Sequence, residues 1–220
     1  MITTKNQAQL IYRQRFKKYL LSRNQIYQIL CQKFFQSYIS PNSVVLDIGA
    51  GYGEFINHIQ AKEKIALDIN PDLKKFVHSD VKTLICSSIQ IKSIANQSID
   101  VIFVSNFFEH LDKPSIIKTI KEIRRVLKPK GKLLILQPNF RYCYKDYWMF
   151  FDHITPLDDR SLTEILTLNH FQILELKPKF LPYTVKSKIP KSIILLKIYL
   201  KLPFIQRIFG KQVFIYARKT

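Results

Sequence analysis

The chain has 220 residues, 47% of them hydrophobic, and a formal net charge of +19. That length suits one domain with a full core, and that apolar content excludes a disordered chain. Cys31, Cys86 and Cys143 lie far apart with no C-x-x-C pair, which argues against a disulfide framework and a cysteine zinc site and fits a reducing compartment.

The N-terminal stretch M-I-T-T-K-N-Q-A-Q-L lacks the apolar core of a signal peptide. No apolar run approaches the roughly 20 residues that span a bilayer. The expectation is a cytoplasmic protein, soluble or peripheral at the inner membrane surface. So large a positive charge attracts polyanions: nucleic acid, anionic lipid or phosphate-bearing substrates. The excess of Lys over Arg, beside abundant Ile, Asn, Phe and Tyr, equally fits a plain compositional bias from an A/T-rich coding sequence.

Residues 5–39 read as two helices, with Leu10, Ile11, Phe16, Leu20 and then Ile26, Ile29, Leu30, Phe34 at helical spacing. Arg13, Arg15 and Arg23 fall between them, as a solvated basic face or as part of a cover over the cleft. Ser40-Pro41-Asn42 ends this N-terminal extension, residues 1–40. Val44 to Ile48 is a buried strand, closed by Gly49, Gly51 and Gly53 in a G-x-G-x-G turn, and a helix is expected through Phe55, Ile56 and Ile59. Strand, glycine turn and helix open a nucleotide-binding α/β unit. Asp68 ends the next strand, Ile65 to Leu67, at the distance that places an acid on ribose hydroxyls. Asn70 caps a short helix through Leu73 and Phe76. Strands follow at Val81–Cys86 and Ile99–Val104. Between Pro114 and Leu127 runs an amphipathic helix whose Arg124-Arg125 pair is read as a solvated face rather than an RNA patch. Lys128-Pro129-Lys130-Gly131 stops it before the fifth strand, Lys132 to Gln137.

The turn D-I-G-A-G-Y-G at 47–53 resembles the first motif of the class I S-adenosylmethionine-dependent methyltransferases, of the small-molecule, methyltransferase-11-like type. Asp68-Ile69-Asn70 fits the second motif, E-H-L at 109–111 and R-V-L-K-P-K-G-K-L at 125–133 fit later segments, and the likeness is good from Ser40 to Gln137. It implies an α/β, Rossmann-like, seven-stranded sheet with helices on both faces and an antiparallel last strand pair. The S-adenosylmethionine-binding core would be residues 41–140. It also implies cofactor contacts from Asp47, Gly49, Ala50, Gly51, Tyr52 and Gly53, from Asp68, Ile69 and Asn70, and from Ser105 and Asn106. Ser87 and Ser88 stand where the family often has an acid for the adenine, a departure that weakens that contact.

Residues 141–220 form the substrate side of the same domain. A dense aromatic run, Phe140 to His153, reads as a loop over the acceptor pocket. Tyr142, Tyr147, Trp148, Asp152 and, further on, Tyr183 are the candidate substrate contacts. Glu109, His110 and His153 are the candidate proton acceptors, since histidine ordinarily titrates near neutrality. Ser161 with Glu164 reads as a capping box for a helix over 161–168. Strands are expected at Gln172–Leu176 and Gln212–Ala217. Between them an insert, Phe180 to Gly210, carries an apolar, lysine-bearing helix suited to an anionic bilayer, a lipidic acceptor or the domain's own core. The expected function is methyl transfer to an O, N or C atom of a small molecule, a saccharide or lipid-linked intermediate. RNA methylation is the alternative, as is a non-catalytic cofactor-binding module at the membrane; nucleic acid is the weaker expectation among partners. No metal is expected.

Overall fold

The structure is a computed structural model that describes residues 5–16, 20–183 and 193–220. Two helices lead, α1 (Lys5–Phe16) and α2 (Leu20–Lys33), followed by a 3₁₀ turn at Phe35–Tyr38. Seven strands among the described residues form one sheet: β1 (Val44–Ile48), β2 (Glu63–Asp68), β3 (Val81–Ile85), β4 (Ile99–Ser105), β5 (Leu127–Pro138), β6 (Phe171–Leu181) and β7 (Gln212–Lys219). Their order is β3-β2-β1-β4-β5-β7-β6. The pairs from β3 to β5 are parallel, whereas β7 runs antiparallel to both β5 and β6. The expected α/β fold and its antiparallel closure are therefore present. Because β1 and β4 are neighbours whose crossovers leave in opposite directions, a crevice opens beyond their carboxyl ends.

Strand alternation divides the core between the two faces of the sheet. Leu46, Ile48, Ile102, Val104, Leu133 and Ile135 pack on one side, against Ile116, Ile120 and Ile123 of α3 (Lys113–Val126). Leu162 and Leu166 of α5 (Asp159–Leu168) join them. Val45, Val101, Phe103, Leu134 and Phe214 face the other side, against Leu30 and Phe35 from the N-terminal segment and Tyr199 of α6 (Ile193–Lys201). Phe35 is fully buried, with its ring 5.0 Å from Phe103 and 5.7 Å from Phe55. The N-terminal extension thus supplies part of the core.

Four local expectations are corrected. Residues 51–58 form consecutive turns, not a regular helix. Gly51 and Gly53 both hold positive φ, +59° and +74°, which leaves too few residues for helical propagation before Gln60 bonds back to Gln36. The aromatic run begins as a helix, α4 (Phe140–Tyr147), rather than a loop. The capping box of α5 is formed by Asp158 with Ser161, one turn earlier than Ser161 with Glu164, because Asp158 accepts from the Ser161 amide. Arg125 is no solvated residue: it bonds Glu122 and the carbonyls of Ile91 and Ile94, stapling α3 to the loop before β4. In the insert, α6 and α7 (Pro203–Phe209) are both helical, whereas residues 184–192, including the start of the expected P-K-S-I-I-L-L helix, lie outside the described residues.

Candidate active site

A cavity of about 490 Å³ lies at the carboxyl ends of β1 and β4, within the usual range of small-molecule sites. Gly49 and Gly51 form its floor, beside Asp47. A side chain on Gly49 would place its Cβ 2.3 Å from the Phe107 ring, so only glycine fits there. The turn's amides are already engaged: Gly49 N donates to Leu67 O at 2.8 Å and Gly51 N to Asp68 Oδ2 at 2.8 Å. Asp68 Oδ1 accepts from Asn70 N at 2.8 Å. Backbone amides thus hold the Asp68 carboxylate against the turn.

Burial places several acids here at a cost. Asp47 is pushed well above the ordinary carboxylate range, first by desolvation and then by the nearby charges of Glu54 and Asp68. Burial also raises Asp68, against the pull of its backbone hydrogen bonds, and raises Glu109. Asn70 caps the turn Pro71–Lys75 as expected, accepting from Asp72 N, while its Nδ2 is buried without a partner. Asn106 holds φ +46° and donates from Nδ2 to Ser105 Oγ.

The basic N-terminal helices close over this crevice. Arg23 Nε donates to Glu54 Oε1 at 2.8 Å, and Tyr27 Oη lies 2.9 Å from Ser105 Oγ. Arg13 makes a two-pronged pair with Asp72 at 2.9 and 3.1 Å, which holds that carboxyl well below its ordinary range. Arg15 reaches Asp152 at 2.5 Å and lies over the Phe150 ring at 4.6 Å. None of these partners was legible in the sequence, where the arginines fit a solvated face equally well.

The cavity continues past Glu109, His110 and His153 to Tyr183 and then to apolar walls from α6 and α7, including Leu196, Tyr199 and Ile205. The predicted substrate contacts separate. Tyr183 lines the cavity and its hydroxyl is buried without a partner. Asp152 backs His110, with Oδ2 3.3 Å from Nδ1. Tyr147 is fully buried beneath His153 and donates to Thr155 O. Tyr142 is sandwiched by Arg141 and Lys179, and Trp148 is exposed; neither lines the cavity. Ser88 is also turned away, its hydroxyl paired with Thr119 of α3, and Tyr52, Gly53, Asp68, Ile69, Asn70 and Ser87 lie outside the lining, Asp68 bracing the Gly51 amide from behind.

Residues 46–135 match the family model described as a methyltransferase domain. That stretch is similar to methyltransferase domains, and the rest of the chain lies outside the match. The chain is 36% identical over 97 residues to an uncharacterized protein of Methanocaldococcus jannaschii. It is 34% identical over 103 residues to an uncharacterized methyltransferase-like protein of Schizosaccharomyces pombe. These matches span 44% and 43% of this chain, but only 41% and 38% of the relatives' lengths. The fold likeness extends further. A solved S-adenosylmethionine-dependent methyltransferase of Archaeoglobus fulgidus superposes with a TM-score of 0.65, over 96% of this chain and 99% of the other, at 22% identity. The glycine floor, the acid ending β2 and the orphaned Asn70 amide beside it suit the polar, partly cationic S-adenosylmethionine.

Proposed function

We propose that the chain transfers a methyl group from S-adenosylmethionine to an O, N or C nucleophile on a small, largely apolar acceptor, a saccharide or lipid-linked intermediate. One observation carries this: a single cavity joins the glycine turn to a histidine–carboxylate group and then to the apolar walls of α6 and α7. The bound cofactor supplies a methyl group already activated on a sulfonium. Asp68 and Asn70 would hold the ribose, and Gly49–Gly51 with Asn106 would hold the remainder. The chain's main contribution is alignment of donor and acceptor, because proximity and exclusion of water supply much of the rate. With Nδ1 of His110 engaged by the Asp152 carbonyl at 3.1 Å, the ring is fixed in orientation and its Nε2 keeps a lone pair beside the cavity.

A peripheral role at an anionic membrane is supported by a separate feature. Ile194, Ile198, Phe204 and Ile208 are exposed on α6 and α7, beside Lys197, Lys201 and Arg207. The test supplies methyl-labelled S-adenosylmethionine with lipid, saccharide and RNA fractions. Label entering the lipid or saccharide fraction, abolished by Asp68→Ala together with at least a tenfold loss of cofactor affinity, is expected. Label in RNA alone, falling steeply with salt, would replace this reading with RNA methylation. Cofactor binding without transfer to any fraction would leave the non-catalytic module.

A further inference from the structure

At the end of β4, Glu109, His110 and His153 bring one ligand atom each to within 4.8 Å of the others. Glu109 and His110 come from the 3₁₀ turn Phe108–His110, and His153 follows the aromatic segment. The two segments are locked together, since the amides of Ile154 and Thr155 both donate to Glu109 O.

Glu109 and His110 are each held by one atom, which leaves a second atom of each for a ligand. Glu109 is 1% exposed and accepts at Oε2 from Gln137 Nε2 at 2.6 Å. Its Oε1 lies 3.9 Å from His110 Nε2, too long for a hydrogen bond. Two ligands with bonds near 2.1 Å sit about 3–4 Å apart around one ion, which is this spacing. His110 Nδ1 is engaged by the carbonyl of Asp152 at 3.1 Å, so Nε2 keeps its lone pair. That is how proteins orient metal-bound imidazoles. His153 is 8% exposed, and its Nδ1 has no hydrogen-bond partner. A buried polar atom left unsatisfied is costly and calls for an occupant.

We infer that Glu109, His110 and His153 form a binding site for one divalent first-row metal cation, of the class of Zn²⁺, Co²⁺ or Fe²⁺. Two imidazoles and one carboxylate make a borderline-soft N₂O set, which disfavours Mg²⁺ and Ca²⁺. Three protein ligands leave at least one coordination position open, and all three residues line the cavity. On the methyl-transfer reading, that position takes an oxygen of the acceptor. The metal site itself does not depend on that reading.

The test uses the full chain and the metal alone, with no cofactor or acceptor. Titrated with Co²⁺, the protein should bind one ion, show visible d–d bands of a low-coordinate site, and release the ion to Zn²⁺. His110→Ala and His153→Ala should each weaken binding at least tenfold, and Gln137→Ala should weaken it roughly 10–100-fold by freeing Glu109 to turn. In the unmutated protein, Co²⁺ should contact-shift two histidine rings, a readout that survives even if a variant fails to fold. Absence of one-to-one binding overturns the proposal. So does binding that shifts His58, His78 or His170 instead. Neither result touches S-adenosylmethionine binding, which is measured separately.

Discussion

Asp47 sits at the end of β1 with neighbouring acids and little water, so its carboxylate is retained at a cost to the fold. The sign follows from its raised value. The folded state keeps this proton to higher pH than the unfolded chain, whose aspartate titrates near about 3.9. Stability is therefore lost as pH rises from that point through the folded value. Asp47→Asn should raise the thermal midpoint at pH 7 by a few degrees, at about 2–4 °C per kcal/mol for a chain of this size. The gain should vanish near pH 4, while affinity for S-adenosylmethionine falls. A lower midpoint at pH 7 would show that Asp47 is a structural hydrogen-bond acceptor instead. The position of Asp47 was legible because D-I-G-A-G-Y-G joins a strand to glycines that need positive φ. Its raised value was not, since it arises first from burial in the folded sheet and then from the charges of Glu54 and Asp68.

At the scale of elements, the strands were readable and the helix contacts were not. Val44–Ile48, Ile99–Val104 and Lys132–Gln137 are mostly apolar runs, as parallel strands buried on both faces tend to be. The aromatic run misled because Phe140 to Tyr147 carries its rings at helical spacing, so α4 forms beneath the pocket and Tyr147 becomes core. The histidine–carboxylate group was half legible: E-H-L gave Glu109 and His110, but nothing in the sequence set His153 beside them. The cover over the crevice rests on Arg23–Glu54, whose side chains are 19% and 8% exposed, more buried than an ordinary surface pair. Removing one partner leaves a buried charge unpaired, which costs more than the pair contributes. Arg23→Ala should speed S-adenosylmethionine release several-fold and raise hydrogen exchange in α2, while that of β4 stays unchanged. Unaltered release would mean that α2 stays closed through Tyr27 and its apolar contacts alone.

For the whole molecule, the net charge of +19 and the exposed apolar rows on α6 and α7 together motivate the proposal of a membrane surface. Among the described residues no helix is long and apolar enough to cross a membrane, so contact with lipid would be at the surface. The protein should float with vesicles rich in anionic lipid, not with zwitterionic ones, and Ile194→Glu with Ile208→Glu should abolish flotation without altering cofactor affinity. Flotation that persists in the double variant would assign the attraction to diffuse charge alone. The sequence foretold the charge and the apolar insert. It did not reveal that the insert's inner side walls the same cavity as the glycine turn, because that follows from β6 and β7 pairing across it.

This crevice is expected to bind S-adenosylmethionine. Calorimetric titration with S-adenosylmethionine and S-adenosylhomocysteine, beside NAD as a control, tests it most directly. The account predicts one-to-one, micromolar binding of the first two, lost in Asp68→Ala, and no binding of NAD. Absence of heat with both sulfur compounds, or tighter binding of NAD, would contradict it.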